Sequence, residues 1–103
     1  MQIYAKYSDK TLYIELSGEI DEHNAAVTRR EADRIVDDYA TTCEKAVFDL
    51  RRITFMDSTG IGFLIGRYKK FQRFGVPVYI ANSTPATDKI LSMSGVYTLM
   101  QKI

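Results

Sequence analysis

Ser58 is the residue around which chemistry can be sought first. It lies in Phe55-Met56-Asp57-Ser58-Thr59-Gly60-Ile61-Gly62, after the apolar run Ala46-Val47-Phe48-Asp49-Leu50 and before a helix-like run from about Ile61 to Phe74. A serine where a strand hands over to a helix sits beside unpaired backbone N–H groups and the positive end of a helix dipole. Negative charge is well received there, including that of a phosphate. The hydroxyl can therefore be phosphorylated without destroying the helix beneath it. That chemistry belongs to a surface switch rather than to a catalytic pocket.

Other chemistries fit poorly. His23 is the only histidine, and serves a serine nucleophile only if a third group orients it; Gly-x-Ser-x-Gly is absent around Ser58. No spacing suits a metal, and the phosphate-loop pattern is missing. Asp49 ends an apolar run like the phospho-accepting aspartate of a receiver domain. Such a site needs an acidic pair after the first strand to hold magnesium, and Tyr7-Ser8-Asp9 supplies one acid. The expectation is a protein that is not an enzyme and holds no cofactor of its own.

Asp57, Ser58 and Thr59 are three candidate N-caps in a row, and only one can occupy the cap. Residue 61 is isoleucine, so Ser58 has no capping box. One hydroxyl or carboxylate is therefore spare. Gly60 and Gly62 each cost about 1 kcal/mol in a helix relative to alanine, and are expected to bare a docking surface for a partner that must reach Ser58. Gly66 reads more simply as close packing against the sheet. Asp21, closing Gly18-Glu19-Ile20-Asp21, reads alone as an N-cap; a second role arises only if the fold sets it beside the serine loop.

The positioning elements follow from periodicity. Ile3–Tyr7 and Thr11–Ser17 flank the turn-like Ser8-Asp9-Lys10, and Leu12, Ile14 and Leu16 alternate with polar positions, as in a half-buried strand. A helix is expected from Glu22–Ala25 to about Ala40, with Ala25, Thr28, Ala32, Ile35, Val36 and Tyr39 on one face and a solvated charged face opposite. Lys45–Leu50 reads as a strand buried on both faces. The helix after Ser58 is expected to turn Ile61, Leu64, Ile65 and Tyr68 inward, while Arg67, Lys69, Lys70 and Arg73 complement its dipole. Val76–Ala81 reads as a strand. A third helix begins at Thr84-Pro85 and ends at Ser94-Gly95, with Ile90, Leu91 and Met93 inward, and Thr98–Lys102 is a last strand. This alternation implies an α/β fold: a small, mixed, mostly parallel sheet with an N-terminal hairpin and helices mainly on one face. The loops at Asp21, Asp57-Ser58 and Asn82-Ser83 would share one sheet edge.

The 103 residues suit one domain, 1–103. Apolar residues are 46% and charged ones 26%, which argues against disorder; a net charge of +1 gives no strong pull toward nucleic acid or a membrane. A single cysteine, Cys43, and the absence of a long apolar stretch or a signal-like start lead to the expectation of a cytoplasmic protein.

Four segments carry a family resemblance: Leu16-Ser17-Gly18-Glu19-Ile20-Asp21, Phe55 to Gly62, Gly66-Arg67-Tyr68-Lys69 and Met93-Ser94-Gly95-Val96. Together they resemble STAS domains, and among these the anti-sigma factor antagonists of sporulation. The resemblance implies the STAS fold. It implies that the unphosphorylated protein binds an anti-sigma factor that is also a serine kinase of GHKL type, with ATP held by the kinase, and so releases a sporulation sigma factor. Phosphorylation at the matching serine, Ser58, would end binding, and a PP2C-type phosphatase would restore it. Asp21, Asp57, Ser58, Thr59, Gly60, Ile61 and Gly62 would meet the partner. The alternative is a STAS module of another pathway, a general stress antagonist or a nucleotide-sensing domain. Thr59 stands where serine is common, and similar proteins often continue into a further helix.

Overall fold

A computed structural model describes residues 1–103. Strand β1 (Gln2–Ser8) turns through Asp9 and Lys10 into β2 (Thr11–Ile20). Both turn residues have positive φ, 51° and 63°, the requirement of a tight two-residue hairpin turn. Helix α1 (Ala25–Tyr39), β3 (Lys45–Met56), α2 (Ser58–Gln72), β4 (Val78–Ala81), α3 (Pro85–Ser94), the short α4 (Val96–Leu99) and β5 (Gln101–Lys102) follow. The strands lie in sequence order; β1–β2 is antiparallel and the other three pairings are parallel. No helix is long and apolar enough to cross a membrane.

Leu12, Ile14 and Leu16 of β2, Ala46, Phe48 and Leu50 of β3, and Val78 and Ile80 of β4 join the helices in one core. Into it α1 sends Ala32 and Val36, α2 sends Phe63, Leu64 and Phe71, and α3 sends Leu91. Phe48 and Phe63 meet edge to face at 6.4 Å, a favoured aromatic geometry. The opposite sheet face carries Tyr13 and Tyr79 on either side of the buried Val47. Cys43 is buried, which pushes its thiol pKa up.

Four expectations need correction. First, β2 and β3 run beyond Ser17 and Leu50, to Ile20 and Met56. Their register shifts at Glu15/Ser17 and Gly18/Glu19, and the buried residues of β3 change from spacing two to spacing three at Ile53 and Met56. Such bulges hide the strand period. Second, Thr98 belongs to a helical turn, not a strand: Val96 and Met100, four apart, are both buried, and Met100 N–H donates to the Val96 carbonyl. Gly95, at φ 81°, makes the reversal between α3 and α4. Third, Met93 points outward and is 79% exposed. Fourth, Arg67 is not a surface cation. Its side chain is 8% exposed and its Nε lies 2.9 Å from Asp33 of α1, with the guanidinium 5.1 Å from the Phe63 ring centroid. Burial pushes its pKa down, with Asp33 opposing. Lys70 joins Asp33 and Asp37. The charged stripe of α1 thus pairs across to α2.

At the far end Asp88 Oδ1 accepts hydrogen bonds from Lys102 at 2.8 Å, Tyr97 at 2.6 Å and Ser83 at 3.3 Å, tying α3 to α4 and β5. The Lys102 hydrogen bond, then that of Tyr97, hold the Asp88 carboxyl below its usual range. A depressed carboxyl stabilises the fold above the ordinary aspartate pKa and loses this as pH falls through the folded value. Urea midpoints measured at about pH 7 and about pH 3 should therefore drop less for Asp88→Asn than for the unaltered chain. Parallel drops would remove this role.

Candidate functional site

The last paired residues of β2 and β3 are Ile20 and Met56. The two loops carrying Asp21 and Asp57 therefore leave the sheet side by side, which parallel pairing guarantees once the register is set. Asp57 occupies the N-cap of α2, and its Oδ1 accepts from the Thr59 N–H at 2.9 Å. Ser58 is the first helical residue; it is exposed, and its hydroxyl engages no partner within the chain. The spare polar groups among the three candidates are the hydroxyls of Ser58 and Thr59.

Asp21 does not cap α1 directly. Asn24 holds the cap position, while Asp21 Oδ1 accepts from the N–H groups of His23 at 2.9 Å and Asn24 at 3.3 Å. Asn24 in turn bonds the Asp21 N–H through Oδ1 and the Glu19 carbonyl through Nδ2. These bonds close the turn beside the serine loop. The two carboxylates add negative field there, and no histidine, cysteine or carboxylate cluster suited to a metal forms.

The glycines divide. A Cβ on Gly60 would collide with Met56 Cγ and lie 2.8 Å from Ile20 Cγ2, so this residue is buried at a close approach of helix to sheet. It serves internal packing, not a partner's access, contrary to expectation. Gly62 is exposed with open space around the missing Cβ, and keeps its place on the bare surface. Gly66 also faces open space, so close packing does not account for it. Overpacking costs about 1–3 kcal/mol, and Gly60→Val should lower stability by that amount in urea titrations. Gly62→Ala should raise it by about 0.5–1 kcal/mol, because only the helix propensity changes. A stable Gly60→Val protein would contradict the packing assignment.

Two grooves flank Ser58 and Thr59. Between α2 and α3 lies one of about 390 Å³, lined by Ser58, Ile61, Ala86, Lys89, Ile90 and Met93, with Ser94 at its margin. Between α1 and α2 lies one of about 270 Å³, lined by Ala25, Arg29, Thr59, Gly62 and Phe63. The α3 residues were not foreseen. The period of α3 marks which residues are apolar, yet its outer face takes meaning only from lying against α2. The Asn82-Ser83 loop, expected on the same rim, leaves the sheet opposite Asp49, where β4 ends at Ala81. Asn82 Nδ2 donates to Asp49 Oδ2 at 3.1 Å. Only the helix after that loop reaches the Ser58 groove.

The profile of the STAS domain matches residues 2–103. An anti-sigma F factor antagonist of Paenibacillus polymyxa is 32% identical over 100 residues, covering 97% of this chain and 84% of that protein. The anti-sigma factor antagonist SpoIIAA in its unphosphorylated form superposes with a TM-score of 0.79 at 22% identity, over 99% of this chain and 88% of that one. The phosphorylated form of the Bacillus cell fate determinant SpoIIAA superposes at 0.71 and 22%, over 99% and 91%.

Proposed function

The chain belongs to the STAS domain family, and from that membership we propose that it is an anti-sigma factor antagonist switched by phosphorylation of Ser58. Its unphosphorylated form binds an anti-sigma factor that is a GHKL-type serine kinase, which frees a sporulation sigma factor. The Ser58 Oγ attacks the γ-phosphorus of the ATP held by that kinase; ADP leaves, and the hydroxyl proton passes to a base on the kinase. The phosphorylated form lets go, and a PP2C-type phosphatase hydrolyses the ester and resets the switch. All of this takes place in the cytoplasm.

The observation that carries this reading is the Ser58 hydroxyl itself: exposed, unbonded within the chain, and set at the start of a helix between two grooves. An acceptor must enter another protein's active site, which a buried or bonded hydroxyl does poorly. The docking surface comprises Asp21, Asp57, Ser58, Thr59, Ile61 and Gly62, extended by the apolar wall of Ile90 and Met93. Large apolar groups exposed in one place mark interaction sites, and Met93 is the most exposed of them here. The low net charge leaves no reason to invoke nucleic acid or a membrane.

Incubation with the anti-sigma kinase of the same genome and ATP, followed by mass spectrometry of the digested chain, tests the assignment. A single phosphate on Ser58 is expected. Transfer to Thr59 in preference would overturn it.

A further inference from the structure

Ser58 and Lys89 line the same groove, Ser58 from the start of α2 and Lys89 from α3. The rest of its lining is mainly apolar: Ile61, Ala86, Ile90 and Met93. Lys89 has no carboxylate partner, whereas Lys102, Lys70 and Arg67 all do. We propose that Lys89 is a phosphate-holding residue: once Ser58 is phosphorylated, the Lys89 ammonium pairs with the phosphoserine across the α2–α3 groove and closes it. This rests on Ser58 being the modified residue, and it adds a mechanism that the repulsion of a partner does not contain.

The surrounding charges single out Lys89. Asp21 and Asp57, on the two loops beside Ser58, repel a phosphate. Arg29 of α1 is also without a carboxylate partner, but it lines the other groove, which takes Thr59 rather than Ser58. On the α3 side Lys89 is the one charged residue lining the Ser58 groove. Ser58 and Lys89 are both exposed, so the pair is a modest one that salt weakens. A phosphate drawn toward Lys89 would lie over Ile61 and Ile90, so phosphorylation would remove an apolar docking surface as well as add charge.

Phosphoserine installed at position 58 by genetic code expansion tests this without any kinase. The phosphorus-31 chemical shift, followed against pH, reports the second ionisation, ordinarily near 6. An adjacent ammonium favours the dianion and lowers that pKa. Lys89→Gln should raise it by about 0.5–1 unit, Lys89→Arg should leave it low, and Arg29→Gln should not move it. Lys89 is exposed, so these variants should fold. An unchanged pKa in Lys89→Gln, a rise in Lys89→Arg equal to that in Lys89→Gln, or a larger rise in Arg29→Gln would each overturn the assignment. Failure of the unmodified chain to bind the kinase would sink the antagonist reading, while the phosphorus titration would still answer for Lys89.

Discussion

Ser58→Ala is expected to bind the anti-sigma kinase within a few-fold of the unaltered chain and to take up no phosphate, while the phosphoserine form should bind at least a hundredfold more weakly. Ser58→Asp should be weakened in the same direction. The hydroxyl has no partner inside the fold, so alanine removes nothing that holds the loop. The loop geometry is kept by the Asp57 cap and by the bonds around Asp21 and Asn24. A phosphate adds about −1.5 to −2 charges. One partner carboxylate at ~5 Å in an effective dielectric of ~20 repels each unit by roughly 3 kcal/mol. Since ~1.4 kcal/mol is tenfold in affinity, two orders survive substantial salt screening. Titration calorimetry with the three proteins measures it, and tight binding by the aspartate form would count against repulsion as the cause.

The second large effect is on stability. Asp33→Ala should cost about 2–3 kcal/mol and Arg67→Met less than about 1. Removing one partner of a buried pair costs ~3–5 kcal/mol because a charge is left buried and unpaired; Arg67→Met escapes most of this because the Asp33 carboxylate it leaves is partly exposed and still faces Lys70. The lower figure applies to Asp33 because its side chain is 35% exposed and water screens part of the interaction. Without Asp33, the Arg67 guanidinium is left facing Lys70, which shares that carboxylate, and feels Arg29 as well. Thermal unfolding should place Asp33→Ala roughly 5–10 °C below Arg67→Met. Equal losses would mean that the ion pair packs rather than neutralises.

The placing of Ser58 between a strand and a helix, the hairpin, the α/β alternation and the inward face of α1 are all legible in the residues. Each depends on local chemistry: a cap, a turn with positive φ, or a period of two or 3.6. The ends of β2 and β3 were not legible, because register shifts between the two strands break the period that would have marked them. Nor was the helical turn at Val96–Leu99, where four residues offer too short a pattern to separate a turn from a strand.

Local patterning tells which face of an element avoids water, but not which neighbour will cover it. Only the folded arrangement turned Gly60 from an open surface into a contact with Met56 and Ile20, drew Arg67 in against Asp33, and laid Lys89 along the groove that Ser58 enters. The partners in those contacts lie between four and forty residues apart, and what joins them is the order and twist of the sheet beneath the helices. The chain's own letters thus determined where a polar cluster stands between strand and helix; the tertiary structure decided what surrounds it.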